Sequence, residues 1–139
     1  MQSDDKKLLI GIDPGVNTGY AEYDLKSKKL VKVTSMKIHE VMLYLDSINA
    51  IIGKVYVEDA RKRKWFGDRS DAKLQGAGSV KRDCKIWEEF LTDKGIPFEL
   101  VAPKNNKTKT RQQEFFMYTG WQGRTNEHAR DAAMLLIGR

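Results

Sequence analysis

LLIGIDPGVNTGY, residues 8–20, decides how this chain folds. Its first apolar residues are consecutive rather than alternating, the pattern of a strand covered on both faces in the middle of a sheet. The run stops at Asp13 and turns through Pro14, Gly15 and Gly19. A carboxylate delivered by an interior strand is costly unless positive charge shares its space. Three readings follow: a cation beside Asp13, a phosphate held by the small residues behind it, or an Asp that only starts a turn.

Working outward, GYAEYDLKSKKLVKVTSMK reads as two further strands joined around the polar DLKSKK. Such short connections predict an antiparallel meander for the first three strands. From His39 to Ile52 the pattern becomes helical, with Val41, Leu45, Ile48 and Ile52 on one stripe and Gly53 as the stop. KVYVEDA is a fourth strand in which Val55 and Val57 alternate with Tyr56 and Glu58. Val80, Cys84, Trp87 and Leu91 mark a second helix closed by Gly95 and Pro97, and FELVAP a fifth strand. Helices are expected over about 109–118 and about 126–137, the last with Ala129, Ala132, Ala133 and Leu136 inward. The order β-β-β-α-β-α-β-α-α predicts an α/β fold, a ribonuclease H-like mixed five-stranded sheet flanked by helices. In it the first strand is central and the fourth lies parallel beside it.

The 139 residues, 40% apolar and 32% charged, fit one domain spanning 1–139. No apolar run approaches the roughly 20 residues of a membrane span. MQSDDKK is not a signal peptide, and the lone Cys84, expected as a small core residue, makes no internal disulfide. A cytoplasmic protein without membrane association is expected. Lys and Arg number 25 against 19 acids, a formal charge of +6. The cations cluster as Arg61, Lys62, Arg63 and Lys64, and again as Lys104, Lys107, Lys109 and Arg111 in a stretch free of acids. One such run is an ordinary solvated surface; two beside candidate acidic sites point to a polyanion. Trp65 and Phe66 end the first run, placed either to stack on or wedge between bases or to pack in the core. Arg69 and Gln75 complete the candidate DNA contacts.

The predicted topology sets Asp13 and Glu58 at the carboxyl ends of adjacent parallel strands, where α/β proteins place their sites. Strands lie about 4.8 Å apart, so two such carboxylates can reach a common ion. In NEHARD, residues 126–131, His128 and Asp131 share a helix face, and the alanines that follow let the helix dock closely. Three carboxylates and an imidazole are a ligand set for magnesium or manganese. Each residue also has a plain use: Asp13 in a turn, Glu58 on the surface, His128 in a first helical turn, Asp131 paired with an arginine.

GIDPGVNTG, VYVEDA, the QGAG at 75–78 opening a long helix, and the closing HARDAAMLL together resemble RuvC-type Holliday junction resolvases, in a compact form such as phages encode. The resemblance runs from Leu8 to Ile137. It implies a homodimeric, divalent-metal-dependent crossover junction endodeoxyribonuclease that nicks two strands of a four-way DNA junction symmetrically. It implies Asp13, Glu58, His128 and Asp131 as catalytic and metal-binding positions and two Mg2+ per site, with Mn2+ as a substitute. Asp13 would bridge the ions, with Glu58 on one and Asp131 on the other. His128, where many relatives carry an acid, would be a ligand or an orienter of the nucleophilic water. The helix around 75–94 resembles the family's dimerisation element, with Gly76, Ala77 and Gly78 permitting close approach and Trp87 and Phe90 as anchors. Two alternatives stand beside it: a ribonuclease H-like nuclease acting on other branched DNA or RNA–DNA hybrids, and an actin- or hexokinase-like ATP-binding domain using DPGVNTG as a phosphate loop.

Overall fold

The structure, a computed structural model, describes residues 6–62, 71–103, 111–137 and 139, those at 71–77 and 80 by their backbone alone. Strands β1 (Leu8–Asp13), β2 (Asn17–Asp24) and β3 (Lys29–Lys37) are followed by helix α1 (Ile38–Ser47), β4 (Ile52–Glu58), α2 (Asp71–Lys94), β5 (Phe98–Val101), α3 (Gln112–Thr119) and α4 (Glu127–Met134). They form one mixed sheet in the order β3-β2-β1-β4-β5. The β1–β2 and β2–β3 pairs are antiparallel, and β4 runs parallel to both β1 and β5. The expected order, central first strand and parallel fourth strand all hold.

Every residue of β1 is buried, as a strand covered on both faces requires. Its two sides feed two cores. Ile10 and Ile12 join Tyr20, Val55 and Val57 beneath Val41 and Leu45 of α1 and Trp87 and Leu91 of α2. Leu9 joins Ala21 and Tyr56 beneath Phe115 of α3 and Ala129, Ala132 and Ala133 of α4. Because side chains alternate along a strand, Asp13 and Glu58 belong to the same side as Leu9 and Tyr56, the side covered by α4.

Four sequence expectations are corrected. The first helix ends at Ser47, where the Ile48 amide donates to both the Tyr44 and Leu45 carbonyls and a short 3-10 turn, Asn49–Ile51, follows. Ile52 and Gly53 instead open β4; its pairing slips between Leu8 and Leu9, so Gly53 is an extra residue in the strand and not a helix stop. Gly19 lies in β2 opposite Asp13, outside the turn. Trp87 is fully buried in the core, with Phe90 edge-on at 5.8 Å between ring centroids, so Trp87 is not available as a dimer anchor. The last two helices are shorter than expected, with Leu135–Ile137 continuing as a turn after α4. Cys84 is the core residue expected, its thiol pushed up to about 11 chiefly by burial.

The seat of α4 depends on missing side chains. A Cβ on Gly11 would run into the Ala132 carbonyl and lie 3.3 Å from Leu136 Cγ. One on Gly19 would run into the His128 carbonyl and lie 3.0 Å from Asp13 Cβ. With alanines on its underside, α4 therefore rests almost backbone to backbone on β1 and β2. Gly11→Ala is expected to destabilise the protein by about 1–3 kcal/mol through overpacking, measured by urea unfolding. Gly78→Ala is the control: none of the described residues lies within 4 Å of the added carbon, and the helical change should be neutral or slightly stabilising.

Candidate active site

The turn after β1 closes without help from Asp13. Thr18 Oγ1 donates to the Gly15 carbonyl at 2.7 Å, while the Asp13 carboxylate makes its hydrogen bond to the helix above the sheet, Oδ2 to His128 Nδ1 of α4 at 3.2 Å. Asp13 is thus buried and aimed at α4, which separates it from an ordinary turn-starting Asp. Its ladder partner is Gly19, the same residue whose bareness admits the His128 backbone.

Helix α4 is fixed by its first turn. Asn126 caps it, its side-chain oxygen accepting from the Ala129 amide at 2.8 Å, and its amide nitrogen donates to Ser35 Oγ on β3 at 2.6 Å. Arg130 donates to the Thr125 carbonyl and hydroxyl, tying the preceding loop to the helix. The start of α4 is therefore pinned to the far side of the meander, and its register over Asp13 is set. The His128 side chain remains about half exposed while Asp13 is nearly covered, so one polar pair joins the interior to the surface.

Glu58 ends β4 one step beyond Val57, which pairs with Ile12. The turn behind it is held by several contacts. The Asp59 amide donates to the Val101 carbonyl at 2.8 Å, and Cys84 Sγ lies 3.6 Å from the Glu58 carbonyl oxygen. Asp59 is buried and bound by Arg61 through both carboxylate oxygens, and Arg61 Nη2 also reaches Glu88 of α2 at 2.9 Å. The Arg61 hydrogen bonds hold Asp59 below the usual carboxylate range despite its burial.

Electrostatics links the four candidate residues. The Asp13 pKa is pushed up to about 7, first by burial, then by the negative charges of Glu58 and Asp131, with His128 pulling the other way. Glu58 and Asp131 are thus near enough for their charges to act on Asp13. Among the described residues, no three His, Cys, Asp or Glu side chains stand as a ready cage for a metal ion.

The basic candidates divide. Arg61 is turned inward to Asp59 and Glu88, and Lys62 Nζ donates to the Leu100 carbonyl at 2.9 Å while remaining exposed. Arg111 is exposed at the N-cap of α3. Arg63, Lys64, Trp65, Phe66, Arg69, Lys104, Lys107 and Lys109 lie outside the described residues, and Gln75 is described by its backbone alone. Sequence reasoning missed Asn126 and Gly19. Both had a signal: Asn before an acidic first turn marks a helix start, and a Gly two residues from Ala21 in a strand marks close backbone approach.

The Asp13 shift fixes a pH dependence in metal-free buffer. Its folded pKa lies above its unfolded value, so the native state holds the proton more tightly and stability falls as pH rises between about 4 and 7. Below that window both states are protonated; above it the full penalty, on the order of a few kcal/mol, is present. Asp13→Asn should flatten that decline and melt above the unsubstituted protein at pH 8, read by thermal denaturation across pH.

At the level of sequence, the chain matches no family and no curated protein. In three dimensions it is similar to Thermus thermophilus RuvC, described as in complex with a Holliday junction substrate, with a TM-score of 0.59 over 93% of this chain and 89% of that one. Identity over the match is 15%. The two proteins share a fold: a mixed five-stranded sheet flanked by helices, of the ribonuclease H-like kind.

Proposed function

We propose that this protein is a divalent-metal-dependent endonuclease acting on branched DNA, with four-way junctions as its substrate and paired symmetric nicking as its outcome. The observation that carries the reading is Asp13: a nearly buried carboxylate at the end of the central strand, under the charges of Glu58 and Asp131 and hydrogen-bonded to His128. A fold shared with a junction-bound resolvase supports the same reading.

The donor set fits magnesium. Carboxylate oxygens are its preferred protein ligands, and a site that drives Asp13 toward neutrality is one that a divalent cation would relieve. Asp13, Glu58 and Asp131 would hold two such ions per site; Mn2+ would serve in place of Mg2+. When bound, such ions lower the pKa of a coordinated water and compensate charge on the departing oxygen of a phosphodiester.

The chain's own residues supply position. His128 orients the Asp13 carboxylate through Nδ1, and its exposed side chain reaches the surface where DNA would lie, as a ligand or as a group that orients water. The Asp59–Arg61–Glu88 bonds hold the turn behind Glu58. Lys62 and Arg111, both exposed, would meet phosphates, and the sequence adds Arg63, Lys64, Arg69, Lys104, Lys107 and Lys109 as further candidates. Counterion release then makes binding steeply salt-dependent, about 0.9 in log–log slope for each phosphate neutralised. A homodimer would present two such sites to a symmetric junction, and the work would be cytoplasmic, on nucleoid or viral DNA.

The test is cleavage of a synthetic four-way junction beside duplex, flap and RNA–DNA hybrid controls in Mg2+. The junction should be nicked at paired positions in strands of like polarity. Asp13→Asn should keep junction binding while its cleavage rate falls about 100-fold or more, the scale on which loss of a group stabilising transition-state charge is felt. Normal cutting by that variant would sink the site assignment; faster cutting of the hybrid would move the substrate to RNA–DNA.

A further inference from the structure

Helix α3 carries a groove that the proposed chemistry does not use. It is lined by Gln112, Gln113, Phe116, Met117, Trp121 and Gln122 and has a volume of about 600 Å3. That lies within the range of small-molecule sites, roughly 300–1,000 Å3. Phe116 is 46% exposed and Met117 82%, an unusual outlay of apolar surface on one short helix.

Among the described residues, the lining holds two aromatic rings, one thioether and three carboxamides, and no charged side chain. Gln112 belongs to the framework: its amide nitrogen donates to the Gly123 carbonyl at 3.2 Å, and its oxygen accepts from the Thr125 amide at 3.0 Å and from the Thr125 hydroxyl. Those bonds hold the loop after α3 in place and so fix the groove's far wall. Gln113 and Gln122 remain as amides that can both donate and accept. Glu114 stands away from the groove, on the helix face it shares with Tyr118 one turn on. A wall of this kind suits a flat, neutral ligand with hydrogen-bonding edges. A lipid chain would leave the amides unpaired, and an isolated anion would meet no cation among the described lining residues.

The chain leading into and out of the groove is cationic. Arg111 is exposed at the start of α3, Arg124 is exposed on the loop that returns from Trp121, and Lys104, Lys107 and Lys109 precede them in sequence. Neutral stacking walls flanked by arginines match an unpaired nucleotide, whose base is uncharged and whose phosphates are not.

We infer that the α3 groove is a binding site for an unpaired nucleobase of a DNA strand. Phe116 and Trp121 supply stacking surface, Gln113 and Gln122 address the base edge, and Arg111 and Arg124 meet the adjoining phosphates. This rests on the nucleic-acid reading above and adds a second contact to it, with a single-stranded flank.

The test uses the full chain without divalent ions, so that DNA stays uncut, and measures anisotropy with two labelled probes: a blunt duplex, and the same duplex with a short single-stranded thymidine extension. The unsubstituted protein should prefer the extended probe. Phe116→Ala should reduce that preference roughly fivefold or more, the scale of one lost base stack, with its melting temperature retained. Gln122→Ala, an exposed loop change, should reduce it separately and covers the case in which Phe116→Ala unfolds. Equal preference in the unsubstituted protein and both variants would overturn the inference. So would a self-associated species in sedimentation that Phe116→Ala dissolves, since the groove's occupant would then be a second copy of the chain. Binding of the blunt duplex with nothing gained from the extension removes the base site and leaves the nuclease reading standing. Failure to bind either probe removes both.

Discussion

The structure depends on how near helix α4 can come to the sheet. At Gly11 and Gly19 a side chain would run into the carbonyls of Ala132 and His128, so helix and strand backbones are in contact. Helices that meet a sheet through full side chains stand off by several ångströms more, and at that distance His128 could not reach Asp13. The 3.2 Å bond between them is a consequence of two absent side chains on the strands and three small ones on the helix. Packing and site geometry are here one constraint, which is why a methyl group at Gly19 would disturb both.

That approach has an electrostatic cost. It brings Asp131 toward Asp13 and Glu58 and excludes water from Asp13 in the same movement, so that Asp13 is driven toward its protonated form. A protein selected for stability alone would replace such a residue with an apolar one, as the rest of β1 does with Leu9, Ile10 and Ile12. Strained ionisation concentrated on one carboxylate is a mark of sites whose work needs a cation or a proton there. The neighbouring Asp59 makes the contrast. It is equally buried, one residue beyond Glu58, yet Arg61 satisfies both its oxygens and it stays ionised. The two acids thus have opposite characters: Arg61 meets both oxygens of Asp59, whereas at Asp13 burial and the charges of Glu58 and Asp131 outweigh the pull of His128.

Much of the fold was legible because the signals were local and redundant. The unbroken apolar run of β1, the polar break at DLKSKK and the Cys84–Trp87–Leu91 stripe each determine an element with little help from tertiary structure. The order of elements then fixes which strand is central. The errors came where one residue type serves two purposes. Ile48 and Ile52 fit a helical stripe, but Ile52 pairs with Leu8 and Gly53 fills a slip in the ladder, choices made by the neighbouring strand. Trp87 fits both the inward stripe of α2 and an anchor for a partner, because aromatic residues serve cores and interfaces alike, and its burial selects the core. For the site, spacing placed Asp13 and Glu58 at strand ends and His128 with Asp131 on one helix face. It could not give the depth of Asp13 or the seating of α4, which arise from contacts between residues more than 100 positions apart, as in Asp13 with His128.

Positive charge, finally, divides by function in a way that a count of lysines and arginines hides. The run beginning at Arg61 looks uniform in sequence, yet Arg61 is bonded to Asp59 and Glu88 and Lys62 reaches back to Leu100. The start of the run is therefore an internal brace that holds the end of β4 against α2 and β5. Such a brace has a clear physical use beside a strained carboxylate group: the turn behind Glu58 must keep its shape while the charges around Asp13 push apart. An arginine suits the task because its planar fork meets both oxygens of Asp59 and still bonds Glu88, which a lysine's single ammonium cannot reproduce with the same geometry. Any polyanion meeting this face would then be held mainly by cations other than Arg61. The count of 25 lysines and arginines overstates the number available to it, because Arg61 is already committed to keeping the site in shape.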